Sequence, residues 1–196
     1  MKTSTVTPVS ARNDNSQLGL WLYLMTDCIL FAALFATYAV LLVGVADGPG
    51  PAEIFEPWFV LTQTGILLLS TLFAGISLVA ASFMKRQLTV IMLVLTGIMG
   101  LLFISMELFE FQKLISEGFT WQTSAFLSAF FTLVATHGLH IFFGLIWLGV
   151  LLYRISKQGL TEKTIGHIKL FTMFWHFLDV VWIFIFTFVY MMGIIQ

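Results

Sequence analysis

The sequence predicts an all-α membrane protein of five transmembrane helices, with a cytoplasmic N-terminus and a periplasmic C-terminus. Three observations predict it. Hydrophobic residues make up 59% of the 196-residue chain and charged residues 10%, against about 25% charged in a soluble domain, so lipid must solvate most of it. Five apolar stretches each reach the roughly 20 residues that cross a ~30 Å hydrocarbon core. The polar breaks between them carry the lysines and arginines in an alternating pattern.

Residues 1–17 form a polar cytoplasmic segment rich in Ser, Thr and Asn; residues 18–196 form the membrane domain. The run after that segment is too long for a signal-peptide core and lacks a small-residue cleavage pattern, so the first span, 18–44, is expected to stay as an uncleaved anchor. Asp47-Gly48-Pro49-Gly50-Pro51 ends it, because proline lacks the amide donor and its ring clashes with the preceding turn. The second span covers 58–84. Lys85-Arg86-Gln87 makes a short polar hairpin tip before the third span, 88–113. Ser116-Glu117-Gly118 leads to the fourth, 123–153, and the polar stretch 154–167 to the fifth, 168–195.

Orientation follows from the bias of Lys and Arg toward the cytoplasm. Lys2, Arg12, Lys85, Arg86, Arg154, Lys157, Lys163 and Lys169 fall on one side of a five-span topology, and Lys113 alone on the other. Trp21, Trp58, Trp121 and Trp175 fall near span ends, where indole rings sit well at headgroup level. Ala32/Ala36, Ser70/Ala74 and Ala125/Ala129 are small residues four apart, a spacing that lets helix backbones approach. Cys28, the single cysteine, reads as a small buried hydrophobe with no disulfide partner. No basic stripe exists to bind nucleic acid.

Ionisable groups at membrane depth are candidates for function because each costs ~2.5–3.5 kcal/mol on insertion scales. The chain carries Asp27 in the first span, Glu107 and Glu110 in the third, His137 and His140 in the fourth, and His176 and Asp179 in the fifth. Three of these spans hold a pair at i, i+3, on one helix face, the pattern from which di-metal sites are built. Depth argues against a metal or a bis-histidine haem. At ~1.5 Å per residue from the cytoplasmic span ends, Asp27, His176 and Asp179 lie roughly 12–17 Å in, the fourth-span histidines roughly 20–24 Å, and the glutamates roughly 28–33 Å. Metal ligands must converge within ~2.0–2.3 Å of one point. The expectation is therefore no catalytic, metal or cofactor-binding residue. Asp27, His140, His176 and Asp179 are expected to form a polar cluster between helices, with Asp27 paired to a histidine. Glu107 and Glu110 are expected near the outer interface, and His167 in an exposed cytoplasmic loop. A proton-coupled transporter would show internal repeats or broken helices; no repeat between halves is evident, and an odd span count suits two-fold repetition poorly.

Three segments together resemble one family. They are Trp21–Phe31 (WLYLMTDCILF), Thr136–His140 (THGLH) and Trp175–Trp182 (WHFLDVVW), and they are similar to subunit 3 of the haem–copper terminal oxidases. The resemblance runs from about Leu18 to the C-terminus. Five spans, against seven in mitochondrial members, together with Asp27 in place of a glutamate and the Glu53–Glu56 stretch, resemble the bo-type ubiquinol oxidase branch. The alternative within the family is subunit 3 of a cytochrome c oxidase.

The resemblance implies a non-catalytic accessory subunit of a proton-pumping complex that oxidises ubiquinol and reduces dioxygen to water in the bacterial inner membrane. Haems and copper are then expected in the partner subunit 1. Subunits 1, 2 and 4 and phospholipids are the implied partners. Asp27 matches the family's buried carboxylate facing a lipid-holding cleft, near the mouth of a proton-uptake channel. Glu110, His137, His140, His176 and Asp179 match its other polar positions. Aspartate at position 27 has a shorter reach than the family's glutamate.

Overall fold

The computed structural model describes residues 8–41 and 57–191. The proline–glycine break at 47–51, the Glu53–Glu56 stretch, Lys2 and the outer ends of the first and last spans lie outside the described residues. Five α-helices occur among the described residues: α1 (Pro8–Leu41), α2 (Pro57–Ser82), α3 (Arg86–Ser116), α4 (Ala125–Gln158) and α5 (Glu162–Ile185), the last continued by a π-helical stretch, Phe186–Met191. All five are long and apolar enough to cross a membrane, and no strand occurs among the described residues.

The helices outrun the apolar spans read from the sequence. Polar residues 8–17 already belong to α1. Between α4 and α5 only residues 159–161 connect, instead of the stretch 154–167. Charged side chains at a helix end are solvated by headgroups and water without interrupting the backbone ladder. What starts α5 is a cap: Thr161 Oγ1 accepts the Thr164 amide at 3.2 Å, and Glu162 places negative charge in the first turn. His167 is consequently a helical residue, its Nε2 3.2 Å from Arg154 Nη1, and not part of a loop.

The α2–α3 turn is tighter than a polar tip of Lys85-Arg86-Gln87 would make it. Lys85 N–H donates to Ala80 O and Met84 N–H to Ala81 O, both at 3.0 Å, satisfying carbonyls that the end of α2 leaves open. This pattern needs a left-handed residue, and Met84 supplies it at φ 55° without being glycine. Arg86 then opens α3 and donates to the Ile155 and Ser156 carbonyls, which covers the C-terminal end of α4.

Helices consecutive in the chain run antiparallel, α1 runs parallel to α5 with Tyr23 on Phe174 and Phe35 on Phe184, and the register can be read from named contacts. Ser70 Oγ donates to the Thr96 carbonyl at 3.1 Å, fixing α2 against α3. A Cβ on Gly100 would lie 3.0 Å from both Leu145 and Trp175, and one on Gly144 2.8 Å from Trp175. Those two glycines let α3, α4 and α5 close around one indole. Trp175 is therefore fully buried, not an interfacial anchor. The two glycines give the indole room between the helices, which span ends read from the sequence do not show. Trp21, Trp58 and Trp121 are exposed. Of the small-residue pairs, Ser70 and Ala74 are buried, but Ala32 and Ala36 face outward on α1. Spacing alone does not choose which face of a helix turns inward. Cys28 is likewise exposed, against the expectation of burial.

Candidate functional site

The ionisable residues do not form one cluster. Asp27 on α1 meets His140 on α4, with Oδ2 3.5 Å from Nε2 and Phe31 beside the imidazole. His140 Nδ1 lies 2.7 Å from the Thr136 carbonyl, which can only accept, so Nδ1 carries a proton and donates. Nε2 is left facing a carboxylate oxygen. The alignment falls short of a hydrogen bond, and Oδ2 is otherwise without a partner. Tyr23, one turn earlier, interacts electrostatically with the same carboxylate.

Asp179 belongs elsewhere. Thr71 Oγ1 on α2 donates to its Oδ2 at 3.3 Å. His176, one turn before it, donates from Nδ1 to the Thr172 carbonyl at 2.8 Å and is exposed. The expected four-residue cluster is thus split between the α1–α4 contact and the α2–α5 contact. Depth was the only coordinate available from the sequence; azimuth about each helix separates the two sites.

The glutamates are also placed differently from the expectation. Glu107 and Glu110 are buried, not solvated at the outer interface. The Glu107 carboxylate fills the space over Gly138: a Cβ there would fall 2.6 Å from Oε1 and 2.8 Å from Oε2. Glu107 therefore lies level with His137, because the helix ends from which depth was counted extend past the apolar residues. His137 is itself fully buried, stacked on Trp182 at 5.4 Å between ring centroids and edge-on to Phe103 at 6.0 Å. Neither nitrogen of His137 and neither oxygen of Glu107 has a hydrogen-bond partner among the described residues. One turn further, Tyr190 Oη donates to Glu110 Oε2 at 3.3 Å. The π-helical stretch turns both Val189 and Tyr190 into the interior.

Several polar residues at this level escaped the sequence reading. Gln63 is fully buried with both amide atoms unpartnered, next to Thr64, whose hydroxyl accepts from Trp182 Nε1 at 3.1 Å. Ser70 accepts from Trp175 Nε1 at 3.0 Å. The available signal was a run of Gln, Thr and Ser within an apolar span, which costs free energy unless such groups bond inside the bundle.

Chemically, this arrangement can hold protons and hydrogen bonds. Among the described residues no three His, Cys, Asp or Glu side chains converge to hold a metal ion. Aromatic rings occupy the space that a planar cofactor on His137 would need.

Comparison with known proteins decides the family. The family model described as cytochrome c oxidase subunit III matches residues 7–194. The chain belongs to that family. It is 49% identical over 178 residues to cytochrome bo(3) ubiquinol oxidase subunit 3 of Pseudomonas putida, covering 91% of this chain and 86% of the relative. It is 48% identical over 177 residues to the protein of the same name from Buchnera aphidicola subsp. Acyrthosiphon pisum, covering 90% and 86%. Cytochrome c oxidase subunit 3 of Bacillus sp. (strain PS3) is 41% identical over 184 residues, covering 92% and 87%. In this subunit III chain, THGLH supplies His137 and His140, and WHFLDVVW supplies both indoles of the α2–α5 contact.

Proposed function

We propose that the chain is the non-catalytic third subunit of a proton-pumping ubiquinol oxidase, the complex that oxidises ubiquinol and reduces dioxygen to water. The carrying observation is the 49% identity to a bo(3) ubiquinol oxidase subunit 3, extending over 86% of that protein. The cytochrome c oxidase alternative rests on a relative at 41%. On this reading the chain is a multi-pass protein of the bacterial inner membrane with its N-terminus in the cytoplasm. It contacts subunits 1, 2 and 4, stabilises the haem- and copper-bearing subunit 1, and holds phospholipids. The bundle suits such a role, because glycines and stacked rings let its helices pack closely.

Co-purification in mild detergent tests the assignment. A haem-bearing larger subunit should accompany the chain, and the complex should consume oxygen with ubiquinol and not with cytochrome c. Recovery without any haem protein refutes it.

The Asp27–His140 pair supports a finer reading, in which a carboxylate facing an imidazole across 3.5 Å assists proton delivery toward subunit 1. Asp27→Ala should then slow oxygen consumption or lower the protons moved per electron while haem content stays constant. Unchanged turnover and proton yield would leave Asp27 a packing residue only.

A further inference from the structure

Six enclosed polar atoms gather at one level of the bundle, and each lacks a hydrogen bond among the described residues. They are both amide atoms of Gln63 on α2, both carboxyl oxygens of Glu107 on α3 and both ring nitrogens of His137 on α4. Gln63 and His137 are 0% exposed and Glu107 3%. Counted at ~1.5 Å per residue from the Ser82, Arg86 and Gln158 ends of their helices, the three side chains leave the backbone at roughly 29–32 Å. Named contacts tie them together. Phe103, one turn before Glu107, meets the His137 ring edge-on at 6.0 Å and Trp182 at 4.6 Å. Trp182 stacks on His137 and donates to Thr64, the chain neighbour of Gln63. Glu107 rests on α4 over Gly138, the residue after His137.

A buried polar atom without a partner costs free energy comparable to a lost hydrogen bond, and native proteins satisfy nearly all such atoms. Six at one level therefore call for a ligand. The donors and acceptors select its chemistry. Gln63 Nε2 only donates and Oε1 only accepts, a neutral imidazole presents one of each, and an ionised carboxylate only accepts. A metal cation would serve the acceptors and leave the amide and imidazole N–H groups unmet. An acyl chain would serve none of them. Water donates twice and accepts twice, and a buried water typically makes about three hydrogen bonds.

We propose that internal water molecules, about two or three of them, bind between α2, α3 and α4 and bridge Gln63, Glu107 and His137. Gly138 gives the carboxyl its place in this site, because a Cβ there would fall 2.6 Å from Oε1. Through the water, Glu107 and His137, which share no hydrogen bond, become proton partners. Two turns earlier on α5 the polar groups need no such bridge: Trp175 donates to Ser70, and Ser70 to the Thr96 carbonyl. The inference does not rest on the oxidase reading, and either can fail without the other.

Radiolytic footprinting of the protein in its native membrane tests the proposal. A brief X-ray pulse splits water into hydroxyl radicals, and those born at an internal water oxidise the rings beside it. Mass spectrometry should show Trp182 oxidised at several times the rate of Trp175, the two indoles being 0% and 1% exposed on the same helix. Glu107→Met and Gln63→Met remove polar groups at similar side-chain length, and each should lower the Trp182 rate without changing that of Trp175. Oxidation of Trp182 no faster than that of Trp175 in the unaltered protein overturns the proposal, whether or not either variant folds. A Trp182 rate that the folded variants leave unchanged overturns it as well, since these side chains would then not be holding the water.

Discussion

Helix α5 has two unlike seams. Toward α2 it is fastened by polar side chains: Trp175 to Ser70, Trp182 to Thr64 and Thr71 to Asp179. Toward α1 the contacts are aromatic, Tyr23 on Phe174 and Phe35 on Phe184 and Phe188, with one long bond from Tyr38 Oη to the Val189 carbonyl at 3.4 Å. Burial follows the same division, since half of the α5 apolar window is enclosed but only 22% of that of α1. Lipid tails compete with apolar side chains on nearly equal terms, so apolar contact alone fastens helices weakly in a bilayer, and close packing and hydrogen bonds set the firm seams. The contrast is between the two seams of α5 and not between whole helices, since α3 and α4, at 28% each, are enclosed little more than α1.

Three substitutions probe that contrast. The largest effect is expected for Trp175→Ala, which removes a buried indole and the donor to Ser70. A loss of about 3–5 kcal/mol should follow, read as a collapse of the thermal unfolding midpoint of the purified complex. A midpoint near that of the unaltered protein would mean that the α2–α5 seam is not the firm one. Thr64→Val keeps the shape but takes the acceptor from Trp182, and should cost ~0.6 kcal/mol and no more than about 1.7. Equilibrium unfolding in mixed micelles is sensitive enough to resolve it. Tyr38→Phe on the other seam should cost less than ~0.6 kcal/mol, because the bond it removes is long and the ring contacts stay. A larger loss from Tyr38→Phe than from Thr64→Val would invert the ranking of the two seams.

The fold was legible in the sequence because a lipid solvent leaves few choices. Every backbone donor and acceptor must be satisfied within the segment, so a long apolar run becomes a helix wherever its neighbours place it. Helix ends were read less well, since Arg154, Lys157 and Lys163 looked like loop residues and are helical. The candidate residues were all found from one rule, that charge inside a span is costly, but their partners were not. Gln63 and Thr71 carry no such signal, and they line the seam that holds Asp179 and the indoles.

By itself the sequence determined five helices, which residues are polar inside them, and, through the THGLH and WHFLDVVW motifs, the family. The helices and their polar residues follow from composition and chain order, and the family from the resemblance of those motifs. Only the tertiary structure decided that Asp27 meets His140, that Asp179 meets Thr71, that Glu107 lies over Gly138, and that His176 faces outward. The reason is rotational. Residue number fixes height along a helix at ~1.5 Å per step, but the direction a helix turns toward its neighbours is set by how glycines and large rings pack between them.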